Sequence, residues 1–233
     1  MILLGPSDPF PPASLARQDL DGLLAIGADL SPQRLLDAYR QGIFPWGTLD
    51  GLPLWHCPDP RMVLFPDELR ISRSLGKTLR LGQYDIRLDT AFPAVISACA
   101  AAPRPGQDGT WITPEMEAAY LRLHELGWAH SVETWVDDRL AGGLYGLAIG
   151  KAFFGESMFA RRTDASKIAL AHLCRFLSER GFGMIDCQMH TPHLASLGAR
   201  RLKAADFLQR LRQLTGEAAS PAGWPADAAR FEW

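Results

Sequence analysis

The sequence contains no apolar run approaching the ~20 residues that a bilayer-spanning helix needs, so no transmembrane segment is expected in its 233 residues. Its opening, Met1-Ile2-Leu3-Leu4-Gly5-Pro6, has no basic segment, and prolines from Pro6 to Pro12 break any apolar core, which argues against a secretory leader. Cysteine is scarce. Cys57, Cys99, Cys174 and Cys187 show no paired spacing, and free thiols in a reducing cytoplasm are the simplest reading. A large charge of one sign is also missing. The net charge of -2 argues against a general polyanion binder unless basic groups gather locally. No Gly-x-Ser-x-Gly elbow, phosphate-binding loop or dinucleotide Gly-x-Gly-x-x-Gly is present, and there is no internal repeat or low-complexity tract. What remains is a chain with 47% apolar and 21% charged residues, enough for one domain or two small ones with a real core.

Taken in order, Ser31-Pro32 reads as a helix start, Ser31 capping and Pro32 in the first turn, with Gly42 as the stop. Aromatic clusters at Ile43-Phe44-Pro45-Trp46 and around Trp55 read as loop, since nearby prolines oppose regular structure. The rigid Pro58-Asp59-Pro60-Arg61 stretch suggests a boundary, giving a small N-terminal domain over 1–63 and a second over 64–233. Arg70, Arg73, Lys77 and Arg80 share one face if Ser72 to Leu81 is helical, with no acid interleaved, so the stripe suits an anionic partner. Helices are expected over Thr90 to Ala102 and from Thr113-Pro114 to Gly127, and a loop over Pro103 to Gly109. The period then changes to two. His130 to Val136, Arg139 to Ile149 and Ala152 to Phe159 read as an antiparallel meander, with a bulge or close approach at Gly142-Gly143 and Gly146. A helix over Asp164 to Arg180, a strand over Met184 to Met189, a helix over Ala204 to Leu214 and a loosely ordered tail from Gly216 complete an α+β chain.

The chemistry concentrates late. Asp186 and Gln188 stand two apart in an apolar strand, so alternation places both on one face, and buried polar groups are costly unless partnered. Glu156 joins them in one cleft if its strand neighbours theirs. Alternation turns Cys187 away. Cys187, His190 and His193 put three potential ligands in seven residues, but no second pair completes a zinc set, so a core cysteine followed by a polar loop is preferred and no metal is expected. Ser157 lacks a base partner, which disfavours covalent catalysis.

Several short motifs occur together: Gly22-Leu23-Leu24-Ala25, Asp29-Leu30-Ser31, Gly42-Ile43-Phe44-Pro45-Trp46, Pro58-Asp59-Pro60-Arg61 and Thr110-Trp111-Ile112. They continue with Ala129-His130-Ser131-Val132-Glu133, Gly142-Gly143-Leu144-Tyr145-Gly146, Gly155-Glu156-Ser157-Met158-Phe159, Ile185-Asp186-Cys187-Gln188 and Ser196-Leu197-Gly198-Ala199. In this order the chain resembles the bacterial leucyl/phenylalanyl-tRNA–protein transferases from about Phe10 to Leu211. It departs from their pattern at His56, where a second Trp is usual, at Ala28 and at Ala160.

The resemblance implies a small N-terminal domain before an N-acyltransferase (GNAT-like) domain in the cytoplasm. It implies transfer of Leu or Phe, less often Met, from aminoacyl-tRNA to a protein beginning with Arg or Lys, creating an N-terminal degradation signal. No metal or coenzyme is implied, tRNA being the activated carrier, and no membrane. Glu156, Asp186 and Gln188 would be catalytic, with Asp186 hydrogen-bonding the attacking amine. Phe153, Met158, Leu173, Ile185 and Leu144 would line an aminoacyl pocket. Trp111 with Trp55 would stack the terminal adenine, and Arg70, Arg73, Lys77 and Arg80 would meet acceptor-stem phosphates. The alternative is an acyl-CoA-dependent N-acetyltransferase, against which the turn from Phe159 to Asp164 has no glycine-rich pyrophosphate loop.

Overall fold

Side-chain caps mark where four of the helices begin, at Ser31, Ser72, Thr113 and Thr191. The computed structural model of the protein describes residues 2–103 and 110–216, together with Trp224 and Trp233. β1 (Ile2–Leu4) and β2 (Leu23–Gly27) precede α1 (Pro32–Arg40), whose Ser31 side chain accepts from the Arg34 N–H with Pro32 in the first turn. The hairpin β3 (Phe44–Leu49) and β4 (Leu52–His56) follows, and these four strands make one sheet in the order β1-β2-β4-β3. The expectation of loop at Phe44 to Trp46 and around Trp55 is thus corrected, since both stretches lie in this hairpin. Pro45 is tolerated because β3 is an edge strand, where a missing N–H leaves no ladder bond unmade. Pro53 lies beyond the β4 residues that pair with β2.

β5 (Arg61–Leu64) begins the second sheet. A cis Asp59-Pro60 bond immediately precedes it. Next come α2 (Arg73–Leu81), β6 (Asp85–Leu88), α3 (Phe92–Ala100) and α4 (Pro114–Glu125). β7 (Ala129–Val136), β8 (Arg139–Ile149) and β9 (Ala152–Ala160) form the expected meander. α5 (Ala165–Glu179), β10 (Met184–Gln188), α6 (Pro192–Ser196), β11 (Arg200–Leu202) and α7 (Ala204–Leu214) complete the described elements. The second sheet runs β11-β5-β10-β9-β8-β7-β6. Of the loop expected over Pro103 to Gly109, residues 104–109 lie outside the described residues, as does the tail expected from Gly216 beyond that residue, apart from Trp224 and Trp233.

The sheet is buried on both faces, and alternation sorts its side chains. Val132, Leu144 and Phe153 join α5 residues such as Ile168 and Leu173 in one apolar cluster. Tyr145, Leu147 and Phe154 join Tyr39 of α1 and Tyr120 of α4 in another, which continues into the first sheet through Trp55 and Phe44. Parallel strands cannot be joined by a tight turn, so β9 reaches β10 through α5. That crossover puts the strand carrying Glu156 beside the strand carrying Gln188. Gly146 is required on β8 where that strand faces β9. A Cβ there would lie 2.1 Å from the Phe154 carbonyl oxygen and 2.6 Å from the Phe153 ring.

Candidate active site

β9 and β10 pair in parallel, Met184, Ile185 and Asp186 opposite Ala152, Phe153 and Phe154. Just beyond, each strand carries a surplus residue. Gly155 and Ser157 pair with the consecutive residues Gly146 and Tyr145 of β8, leaving Glu156 over. Asp186 and Gln188 pair with the consecutive residues Val63 and Met62 of β5, leaving Cys187 over. Such bulges bend a strand and re-aim its side chains. Gln188 adopts a left-handed backbone with φ 56°, unusual for a residue with a Cβ.

The result is a connected polar group in an otherwise apolar interior. Gln188 Nε2 donates to Glu156 Oε1 and the Tyr120 hydroxyl donates to Glu156 Oε2, each at 2.9 Å. The Tyr120 hydroxyl is itself bonded to that of Tyr39. Burial pushes the Glu156 pKa up to about 7, while donation from Tyr39, Tyr120 and Gln188 restrains the rise. Both phenols are held well above their ordinary range, burial being the main cause and the Glu156 charge the next.

Asp186 is turned the other way. Its fully buried carboxylate takes Arg61 Nε on Oδ1 and Arg61 Nη2 on Oδ2, both at 2.8 Å. Oδ1 also accepts the backbone N–H of Gln188 at 2.9 Å. The Arg61 guanidinium lies over the Phe44 ring at 4.6 Å and the Phe207 ring at 4.7 Å.

A cavity of about 520 Å³ adjoins this group. Leu144, Phe153, Met158, Leu170, Leu173 and Ile185 give it apolar walls, Phe44, Trp46 and Trp111 add aromatic faces, and Glu156 and Gln188 contribute the carboxylate and carboxamide. Few convergent polar groups in a concave apolar site are the usual make-up of a small-ligand pocket.

Residues 63–212 match the leucyl/phenylalanyl-tRNA protein transferase family, and residues 28–59 match its N-terminal domain. The chain belongs to this family. A leucyl/phenylalanyl-tRNA–protein transferase of Dechloromonas aromatica (strain RCB) is 61% identical over 224 residues, 96% of either chain. One from Chromobacterium violaceum is 62% identical over 211 residues, 90% of either chain. Among solved structures, a GCN5-related N-acetyltransferase from Kribbella flavida aligns with a TM-score of 0.39 and 12% identity, covering 73% of this chain and 60% of that one. The helices and the largely antiparallel second sheet make the fold α+β.

In this member of the leucyl/phenylalanyl-tRNA protein transferase family, Leu144, Phe153, Met158, Leu173, Ile185 and Trp111 all line the cavity. Trp55 does not, which corrects its expected place beside Trp111. Its ring is fully buried, meets Phe10 edge-on, and donates from Nε1 to the Gly27 carbonyl at 2.8 Å. Trp46 stands in the cavity lining instead. Phe44 pairs with His56 across the hairpin, and the Trp46 ring meets His56 edge-on at 5.4 Å, so His56 buttresses the aromatic that faces the cavity. The shared face expected of Asp186 and Gln188 is also corrected. The bulge at Cys187 breaks alternation, leaving Cys187 and Gln188 in the cavity lining and Asp186 outside it. Gln188 and Glu156 therefore face the cavity, and Asp186 does not. Burial pushes the Cys187 thiol up to about 12, so it is protonated and a poor nucleophile.

The basic stripe is shorter than expected. Arg73, Lys77 and Arg80 are exposed along α2, while Arg70 precedes the Ser72 cap and its N–H donates to the Leu197 carbonyl. Sequence reasoning also missed Leu170, Tyr39, Tyr120 and Arg61. Trp46, two residues after Phe44, and Arg61, at the end of the Pro58-Asp59-Pro60-Arg61 stretch, both stand in motifs already singled out.

Proposed function

We propose that the chain moves Leu or Phe, and less often Met, from aminoacyl-tRNA onto the N-terminal Arg or Lys of an acceptor protein in the cytoplasm, forming a peptide bond and an N-terminal degradation signal. The observation that carries the reading is the fixed pair of Gln188 and Glu156 in the lining of an apolar cavity. The cavity takes the unbranched apolar side chain, and Met158 adapts to either Leu or Phe. Trp46 and Trp111 stack the terminal adenine. Arg73, Lys77 and Arg80 track acceptor-stem phosphates, with Arg70 at the edge of that surface. We assign Trp46 to a small N-terminal domain over 1–63 and the polar pair to a catalytic domain over 64–233, with β5 at the junction built into the latter's sheet. Among the described residues no helix is long and apolar enough to cross a membrane.

The acceptor amine enters as an ammonium near neutral pH. One proton passes to the Glu156 carboxylate. The freed lone pair attacks the ester carbonyl carbon, the bond from that carbon to the ribose oxygen breaks, and the ribose oxygen takes a second proton from the amine nitrogen. The Gln188 carboxamide nitrogen is committed to Glu156, so its oxygen is free to accept from the amine and hold it in line. Asp186 reaches the amine only through the Gln188 backbone.

The test is transfer of labelled Leu from Leu-tRNA to proteins beginning with Arg, Lys or Ala, run beside labelled acetyl-CoA. Label on the Arg and Lys proteins alone is the expected result; acetyl transfer without aminoacyl transfer would overturn the reading. The two tryptophans separate cleanly in the same assay. Trp46→Ala should raise the KM for aminoacyl-tRNA by roughly 5- to 150-fold, the equivalent of about 1–3 kcal/mol of stacking. Trp55→Ala should leave that KM alone and lower stability by about 3–5 kcal/mol, as expected for emptying a core site. An equal KM effect from both would refute the assignment of Trp46.

A further inference from the structure

The Tyr39 and Tyr120 hydroxyls are buried where an unpaired hydroxyl is costly, yet they are joined to each other and to Glu156. They come from separate elements, Tyr39 from α1 and Tyr120 from α4. Packing alone would be served as well by phenylalanine. Tyr39 lies against the Phe154 ring at 5.0 Å and Tyr120 meets the Tyr145 ring edge-on at 5.6 Å.

The donors fix a direction. Ionised Glu156 can only accept. Tyr120 gives its hydrogen to Oε2, so its oxygen must accept from Tyr39, while Gln188 Nε2 gives a hydrogen to Oε1. The order is Tyr39 to Tyr120 to Glu156, with Gln188 donating from the other side. When Glu156 gains a proton, one neighbour has to turn from donor to acceptor. On Oε1 that neighbour is Gln188, and its carboxamide would rotate, presenting NH₂ where the amine needs an acceptor. On Oε2 it is Tyr120, which can reverse by donating to Tyr39, whose own hydrogen then turns to Glu156, a carboxyl group it also reaches.

We infer that Tyr39 and Tyr120 are positioning residues: their hydroxyl chain reverses as Glu156 takes the acceptor's proton, so that Gln188 keeps its carboxamide oxygen toward the amine. The inference deepens the proposed reaction and rests on Glu156 as the proton acceptor there. The other groups facing this chain are Asp186 of β10, whose charge raises the Glu156 pKa and which is paired with Arg61 of β5, and Tyr145 of β8, beside Tyr120. With Tyr120 removed, the Glu156 carboxylate loses a donor, its pKa rises, and activity that needs the carboxylate begins at higher pH.

The experiment uses Tyr120→Phe, with Tyr39→Phe as a milder second variant should the first fold poorly. The Glu156 carboxyl band, isolated by infrared difference against Glu156→Gln, is titrated without turnover. The expected midpoint moves up by about one pH unit in Tyr120→Phe and by less in Tyr39→Phe. In single-turnover transfer, Tyr120→Phe should lose about tenfold in rate at pH 7, recover partly at pH 9, and keep the KM for aminoacyl-tRNA. An unchanged infrared midpoint, or a rate loss of equal size at every pH, would overturn the inference. An infrared shift that the rate profile does not follow would instead remove Glu156 as the proton acceptor while leaving the tyrosines as its orienting groups.

Discussion

Arg61→Met should lower the unfolding free energy by about 3–5 kcal/mol, because it strands the Asp186 carboxylate in the interior without its cation. For a domain stable by about 5–15 kcal/mol that is a large share of the total. The pair is fully buried, doubly bonded and flanked by Phe44 and Phe207, so water cannot replace the lost partner. Removing both charges tells a second story. Arg61→Met with Asp186→Leu should regain most of the stability, since well-packed apolar replacements of buried ion pairs are often neutral or better. Transfer should stay lost, because Asp186 Oδ1 holds the Gln188 N–H and with it a left-handed backbone that non-glycine residues resist. Urea unfolding and single-turnover transfer on the same preparations check both halves. A single variant that unfolds at the wild-type urea midpoint, or a double variant that transfers normally, would contradict this account.

Glu156→Gln should slow transfer by roughly 100-fold with little change in the KM for aminoacyl-tRNA, the range expected when a proton acceptor is lost and binding is kept. The replacement is nearly isosteric, so the cavity walls stay in place. It removes the proton acceptor, and it lets the Gln188 carboxamide face either way, since Gln at 156 can accept or donate. The cleanest readout is single-turnover rate against pH. The wild-type rate should climb through a midpoint near 7, set mainly by burial of the carboxylate. The sign follows from the charge: protonated below that midpoint, Glu156 cannot accept the ammonium proton, and activity falls as pH drops. The variant should have no such limb. A loss under about threefold, or a limb that persists, would remove Glu156 from the chemistry.

Local signals were legible. Ser31-Pro32, Ser72 and Thr113-Pro114 each begin a helix where a side chain caps the first turn, because capping needs only neighbours in sequence. The meander was legible from its period of two. The hairpin holding Phe44 and Trp46 was not, because Pro45 looks like a breaker until one knows that its strand lies at an edge. The site was half legible. Glu156 and Gln188 stood out as polar residues in apolar runs. Their supporting partners looked like ordinary members of a helix face or a loop. Arg61 meets Asp186 across 125 residues, and Tyr39 meets Tyr120 across 81, separations at which one sequence carries no pairing information. Bulges were the other hidden term. One surplus residue exchanges the two faces of a strand, so alternation placed Asp186 toward the ligand and Cys187 away from it, the reverse of what the strand does.

The paired surplus residues on β9 and β10 act like a frameshift repeated in two adjacent lines of text. Before Glu156 and Cys187, the reading of odd and even positions is set by the demands of the core. After them it restarts, and Glu156 and Gln188 join the cavity lining that Phe153 and Ile185 already serve. The two neighbouring strands restart at the same level, so the site gains its own grammar without disturbing the packing beneath. Deleting one residue from either strand would keep nearly every side chain and its chemistry, yet misread the whole site.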